Sequence, residues 1–296
     1  MTKHALLILG APRSGTSYIS QLLGTALNGL PRYSLPANVL NEAGFWEPAR
    51  IVEIHDRLLT DIGLAWHSNR ERDIRRLTYS QLQTYKAELW YEFSRNFSES
   101  YFAVMKDPRL SSLLPIWQMI FRDQGVWAAS VLVYRPFVEV QSSFQRAFTS
   151  YADKAIEVWL RYTLDAELFS RRLPRSIVRY HTAMADWRYV PQKVAIDTGI
   201  EFHTAVKDRM HILETIPRRE LRHFDQPRSS SVDEGPLHSL ATRLEALIEA
   251  AAEGQLDISA MDAVRAEFNE LVNLGSARAP NKVPPSTPGF PQSINS

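Results

Sequence analysis

The residues of this chain best equipped for chemistry are cations that stand where apolar runs stop. Arg13 closely follows Ala5-Leu6-Leu7-Ile8-Leu9, Lys106 follows Phe102-Ala103-Val104-Met105, and Arg135 follows Ala128 to Tyr134. Positive groups gathered at strand ends are the means of holding an anion in an α/β protein. Two glutamates are candidates for moving a proton, Glu42 and, five residues on, Glu47. Glu47 precedes Pro48 and a helical stripe, so it reads equally as a general base or as a carboxylate placed at a helix N-terminus.

The elements that would position these groups follow from periodicity. The run from Ala5 to Leu9 is unbroken and apolar, as in a strand buried on both faces. Gly10-Ala11-Pro12-Arg13-Ser14-Gly15-Thr16-Ser17 comes next, and then Tyr18, Ile19, Leu22, Leu23, Ala26 and Leu27 recur at helical spacing, with Gly29 as the expected stop. A strand, a glycine-bounded loop and a helix N-terminus make a phosphate cradle, because loop amides and the helix dipole converge on one anion. Gly10, Gly15 and Ser17 keep the spacing of the nucleotide-triphosphatase loop, but Thr16 stands where that loop has its lysine. Such a loop is poorly built for ATP or GTP.

Helical stripes are also expected over 48–62, 79–93, 110–121, 138–148 and 155–166, with a fourth strand over Ser176–Tyr180. The aromatic stripe from Tyr79 to Phe93 reads as core, and the charged run 70–76 beside Trp66 and His67 as a solvated connection. Residues 207–236 lack periodicity, and Leu240–Ile248 and Ala260–Leu274 read as closing helices. The domain is expected to occupy 1–275, with a Pro-rich, extended or disordered tail over 276–296. Alternating strands and helices imply a parallel sheet covered on both faces.

Pro12-Arg13-Ser14-Gly15-Thr16-Ser17 resembles the 5′-phosphosulfate loop of sulfotransferases, Pro-(Lys/Arg)-Ser-Gly-Thr-(Ser/Thr). Those enzymes take a sulfuryl group from 3′-phosphoadenosine 5′-phosphosulfate (PAPS) and release 3′-phosphoadenosine 5′-phosphate (PAP). The resemblance implies the sulfotransferase form of the P-loop fold, with Arg13, Ser14, Gly15, Thr16 and Ser17 on the 5′-phosphosulfate. Arg135, with Ser143 eight residues later, resembles the 3′-phosphate site, although here Arg135 and Pro136 are adjacent where the family has one residue between; counted from Arg135 the register gives Ser143, the first choice, and counted from Pro136 it gives Ser142. Lys106, with Leu113-Leu114-Pro115 downstream, resembles the lysine that steadies the bridging oxygen as it leaves. Cytosolic members carry a catalytic histidine two residues after that lysine; Pro108 stands there in this chain. Gly44-Phe45-Trp46-Glu47 is similar to a segment of bacterial members, and the Glu42–Glu47 spacing is similar to the acid pair of the glycan-type branch. The resemblance therefore implies Glu47 or Glu42 as base, and Arg222 as the cation of a late loop that closes over the donor; His55, a helix turn or two further along the same segment, is next in line by its position. It implies a sugar or other small-molecule hydroxyl as acceptor.

Composition narrows the alternatives. A net charge of +1 provides no field for nucleic acid or acidic membranes. Zero cysteines exclude disulfides and thiolate chemistry, and the eight histidines form no close pair that would ligate a metal. No apolar run reaches the ~20 residues of a bilayer span. The first strand is too short, and its loop too well formed, for a signal peptide, so a cytoplasmic protein is expected. A P-loop kinase or other phosphotransferase, and a nucleotide-binding module without chemistry, remain the rival readings.

Overall fold

The computed structural model describes residues 4–36, 44–216 and 235–278. Four strands form one sheet: β1 (His4–Leu9), β2 (Phe102–Lys106), β3 (Trp127–Tyr134) and β4 (Arg175–Arg179). All pairings are parallel, in the order β2-β1-β3-β4, with Leu7 beside Met105 on one flank and Ser130 on the other. Twelve helices accompany them among the described residues. They are α1 (Thr16–Leu27), α2 (Ala49–Asp61), α3 (Tyr79–Phe97), α4 (Leu110–Gln124), α5 (Phe137–Ala147), α6 (Ala155–Ser170), α7 (Tyr180–Ala185), α8 (Tyr189–Thr198), α9 (His203–Asp208), α10 (Met210–Leu213), α11 (Pro236–Ala252) and α12 (Ile258–Arg278).

Strand side chains alternate between two cores, because successive residues point to opposite faces. Leu6, Ile8, Val104 and Val131 pack with α1 and with Trp187, Val190 and Val194 around α8. Leu7, Leu9, Met105 and Leu132 pack with Leu58, Leu89, Phe93, Leu113 and Trp159 of the helices on the other face, and α11 and α12 join that layer. The chain leaves β1 toward β2 on one side, and leaves β3 toward β4 on the other. The crevice between the carboxyl ends of β1 and β3 is therefore a topological switch point, where open α/β sheets bind ligands.

Several expectations need correction. Helix α1 ends at Leu27, and Asn28, not Gly29, takes the left-handed cap at φ 52°; the Gly29 N–H then donates to the Gly24 carbonyl. The connection 64–77 is largely interior: Trp66, His67, Arg72, Ile74 and Leu77 are buried. Of its charged run Arg72 reaches the interior, while Arg70, Glu71, Arg75 and Arg76 are exposed as a solvated connection implies. The Arg72 guanidinium lies 4.8 Å from the Tyr162 ring centre and donates to the Trp66 carbonyl. Tyr79, expected in the core, is 79% exposed at the start of α3. Tyr180 opens α7 instead of closing β4, and short helices α9 and α10 extend into the segment read as aperiodic. Helix α12 carries the chain to Arg278; the rest of the tail lies outside the described residues. Among the described residues, no helix is long and apolar enough to cross a membrane.

Candidate active site

The loop after β1 is made by three left-handed residues, Gly10 (φ 146°), Arg13 (φ 71°) and Gly15 (φ 91°). A Cβ on Gly10 would come within 2.7 Å of the Val133 carbonyl oxygen, and one on Gly15 within 2.2 Å of Tyr180 Cδ2. The first glycine thus seats the loop on β3, and the second seats it under the Tyr180 ring. Ser111 of α4 holds the loop from below, accepting from the Gly10 N–H at 3.0 Å. Gly15 is the N-cap of α1 and no side chain caps that helix. Its first-turn amides are the orphan donors that an anion satisfies.

Arg13 and Arg135 meet at the switch point. Arg13 Nε donates to Ser143 Oγ at 3.0 Å, and Arg135 Nη1 donates to the Arg13 carbonyl at 3.3 Å. Arg135 and Ser143 are both buried. Burial, and then the charges of Arg135 and Arg146, push the Arg13 pKa down, the signature of cations crowded together with too little negative charge between them. Arg146 was not apparent from the sequence, although it lies three residues past Ser143 on the same helical face. Glu139 and Tyr180 were missed as well: Arg135 Nε donates to Glu139 at 2.9 Å, and its guanidinium stands 4.5 Å from the Tyr180 ring centre.

The second half of the site lies at the end of β2. Lys106 Nζ donates to Ser17 Oγ at 3.1 Å and forms an ion pair with Glu47. Both members of the pair are buried, Glu47 at 2% exposure and Lys106 at 3%. Burial pushes the Glu47 carboxyl above the usual carboxylate range, and Lys106 pulls it partly back. Backbone contacts fix Glu47: its carbonyl accepts from the Leu35 N–H at 2.8 Å, and the Ala49 N–H donates to Tyr33 at 3.0 Å. Pro48 then caps α2 with an extended backbone.

Behind Lys106 runs a closed polar network. Asp107 accepts from Arg109 Nη1 at 2.9 Å and from His55 Nδ1 at 2.6 Å, and Arg109 forks onto Asp56 at 2.5 and 2.8 Å. Arg109 and His55 hold the Asp107 carboxyl well below the usual range against its burial. Trp117 Nε1 donates to His55 Nε2 at 2.9 Å, so the proton of a neutral ring sits on Nδ1. His55 is fully buried with both nitrogens engaged, and therefore cannot serve as the reserve base expected of it. Glu42 and Arg222 lie outside the described residues. Among the described residues, no group of three or more histidine, aspartate or glutamate side chains is placed to hold a metal ion. A cavity of about 330 Å³ near Asn28, Arg32, Asn96 and Arg209 lies at the amino edge of the sheet, away from these groups.

No protein-family model matches the chain, and no curated protein sequence is significantly similar to it. Among solved structures it is similar to the sulfotransferase STF1 from Mycobacterium tuberculosis, at 13% identity over 75% of this chain and 76% of that one, with a TM-score of 0.48. It is also similar to the sulfotransferase domain from the curacin biosynthetic pathway, at 13% identity over 84% of this chain and 98% of that one, with a TM-score of 0.45. A third similar structure is the sulfotransferase domain from the Synechococcus PCC 7002 olefin synthase, at 17% identity over 80% and 93%, with a TM-score of 0.44.

Proposed function

We propose that the chain is a PAPS-dependent sulfotransferase that acts on a hydroxyl of a sugar or other small molecule. The observation that carries this reading is the position of Lys106, which touches Ser17 of the anion loop and Glu47 at once. A cation shared by an anion loop and a buried carboxylate suits a transfer in which one group leaves with negative charge and another gives up a proton. Amides of Ser14 to Ser17 would hold the 5′-phosphosulfate, with Thr16 buried and packed toward Gly10. Arg13 would join those amides on the 5′ group, while Arg135 and Ser143 would take the 3′-phosphate; the crowding of the two arginines is relieved by an anion, which supports this assignment.

In the step itself the acceptor oxygen bonds to sulfur while the bond from sulfur to the bridging phosphate oxygen breaks. The hydroxyl proton passes to Glu47, and Lys106 neutralises the charge that develops on the departing oxygen. Glu47 stays poised as a base because Lys106 offsets its burial. Most of the acceleration is positioning and charge stabilisation, as in phosphoryl transfer.

Calorimetry tests the reading. PAP should bind without added metal and far more tightly than AMP, because AMP lacks the phosphate that Arg135 and Ser143 await. Equal affinity for PAP and AMP refutes the 3′-phosphate assignment. Tight ATP binding that requires Mg²⁺, with no selectivity for PAP, would make the chain a phosphotransferase. PAP binding without transfer from labelled PAPS to any of a panel of sugar and phenolic hydroxyls would leave a binding module.

A further inference from the structure

We propose that His181 and Glu139 form a proton-sensitive clamp on Arg135, so that affinity for the donor's 3′-phosphate rises when His181 takes up a proton. This rests on the donor reading above and adds to it two residues outside the sequence motifs. Glu139 divides its carboxylate between two partners: one oxygen accepts from Arg135 Nε at 2.9 Å, the other lies 2.6 Å from His181 Nε2. The guanidinium is then fixed on three sides, by this carboxylate, by the Arg13 carbonyl and by the Tyr180 ring. Its Nη2 has no protein hydrogen bond among the described residues and is left for an anion.

The arrangement poses an electrostatic problem that His181 solves. A carboxylate bonded to the arginine meant for the 3′-phosphate cancels its charge, and Arg135 with Glu139 sums to zero. A protonated His181 restores a charge of +1 to the trio and takes over one oxygen of Glu139. The His181 side chain is 57% exposed and open to solvent, and histidine is the side-chain type whose charge physiological pH changes can alter. Other charged and titratable groups face the trio. Arg13 comes from the loop, Arg146 from α5 and Tyr134 from the end of β3. From α11, Glu245 accepts from the Phe137 N–H at 2.6 Å, with Glu249 beyond it. Arginine side chains stay charged throughout, and burial raises the Glu245 carboxyl, so comparison with His181→Gln at each pH is what separates the imidazole from its neighbours.

The test is calorimetry of PAP and AMP with wild type, His181→Gln, Glu139→Gln and the double variant, at about pH 6 and about pH 8 and one ionic strength. The 3′-phosphate itself takes up a proton near pH 6, so each wild-type value is read against His181→Gln at the same pH. Glutamine can still hydrogen-bond Glu139 but carries no charge. PAP should bind His181→Gln about three- to tenfold more weakly than wild type at the lower pH and within about twofold at the higher, a screened single-charge effect. AMP should not distinguish them, and Glu139→Gln should erase the difference. Parallel pH profiles in wild type and His181→Gln overturn the clamp while leaving PAP selectivity standing. Loss of affinity equal at both pH values would make His181 a packing residue, and also overturns it. PAP bound no better than AMP by wild type removes the donor reading itself, and the clamp with it.

Discussion

Glu47→Gln is the most informative single change, because base and structural roles predict different pairs of results. The side chain is 2% exposed and its carboxylate pairs with Lys106, itself 3% exposed. An amide in that place leaves a buried ammonium short of its counter-charge. Removing one partner of a buried pair costs about 3–5 kcal/mol, and the lower end applies here because Ser17 and the amide oxygen still accept from Lys106. A loss of about 3 kcal/mol lowers the melting temperature by about 6–12 °C in a chain of this size. Glu47→Gln combined with Lys106→Met removes both charges together and should recover most of that stability. Transfer of label from PAPS to a hydroxyl acceptor, assayed well below either melting point, should fall by about 10²–10⁴ in Glu47→Gln and stay low in the double variant. In wild type the rate should fall on acidification at a pH above the usual carboxylate range of about 4.3, because a base must be ionised and burial raises Glu47. Turnover within about tenfold of wild type in Glu47→Gln, alongside the stability loss, would reduce the glutamate to a counter-ion and refute the mechanism.

Arg135→Ala should weaken PAP by about 10- to 150-fold, the worth of one charge-assisted hydrogen bond, and leave AMP nearly unaffected. Equal losses for both ligands would make the arginine a scaffold residue. Gly15→Ala forces a Cβ to within 2.2 Å of Tyr180 Cδ2 at a φ of 91°, so it should destabilise the fold by more than about 1 kcal/mol and abolish PAP binding. An unchanged thermal melt would contradict that cradle geometry. His67 is held neutral by burial and by Lys154, with its pKa pushed down to about 4. The unfolded histidine takes up its proton near 6.5, so stability is full above about pH 6.5 and declines as pH falls toward 4. His67→Phe should flatten that decline in denaturant titrations, and an unaltered slope would assign the loss to other groups.

What the sequence made legible was whatever rests on local pattern. The four strands could be read because a strand buried on both faces is an unbroken apolar run, as in Leu6-Leu7-Ile8-Leu9. Arg13, Lys106 and Arg135 could be picked out because they end such runs. Residues that act across long separations carried no such mark. Ser111 reaches Gly10, Tyr180 roofs Gly15 and His181 meets Glu139 only because the sheet brings the carboxyl ends of all four strands together. The interior charges around Asp107 were legible only in part: Asp107 and Arg109, two residues apart, read as a pair or cap and do pair. Arg109 and Asp56 look like surface residues until their partners are known, and those partners lie 53 positions apart in the chain. The connection 64–77 was read correctly for most of its charges, since Arg70, Glu71, Arg75 and Arg76 are exposed, but not for Arg72, whose partners Trp66 and Tyr162 bury it.

Backbone strain offers an independent check on where the site lies. Among the described residues three that are not glycine have positive φ: Arg13 at 71°, Asn28 at 52° and Trp46 at 56°. Asn28 is a helix cap, where asparagine commonly takes this conformation. The other two are an anion-loop cation and the residue before Glu47, and neither caps a helix end. A left-handed non-glycine residue costs about 1–2 kcal/mol and persists only where its surroundings over-determine it. Arg13 makes the cost measurable, because alanine and glycine both delete its side chain and only glycine relieves the backbone. Arg13→Gly should therefore be more stable than Arg13→Ala by about 1 kcal/mol, while both lose affinity for PAP and AMP to the same extent. Denaturant unfolding gives the first comparison and calorimetry the second. Arg13→Ala as stable as Arg13→Gly would mean the loop bears no strain. A glycine variant that recovered PAP affinity would mean that the backbone, and not the guanidinium, recognises the anion.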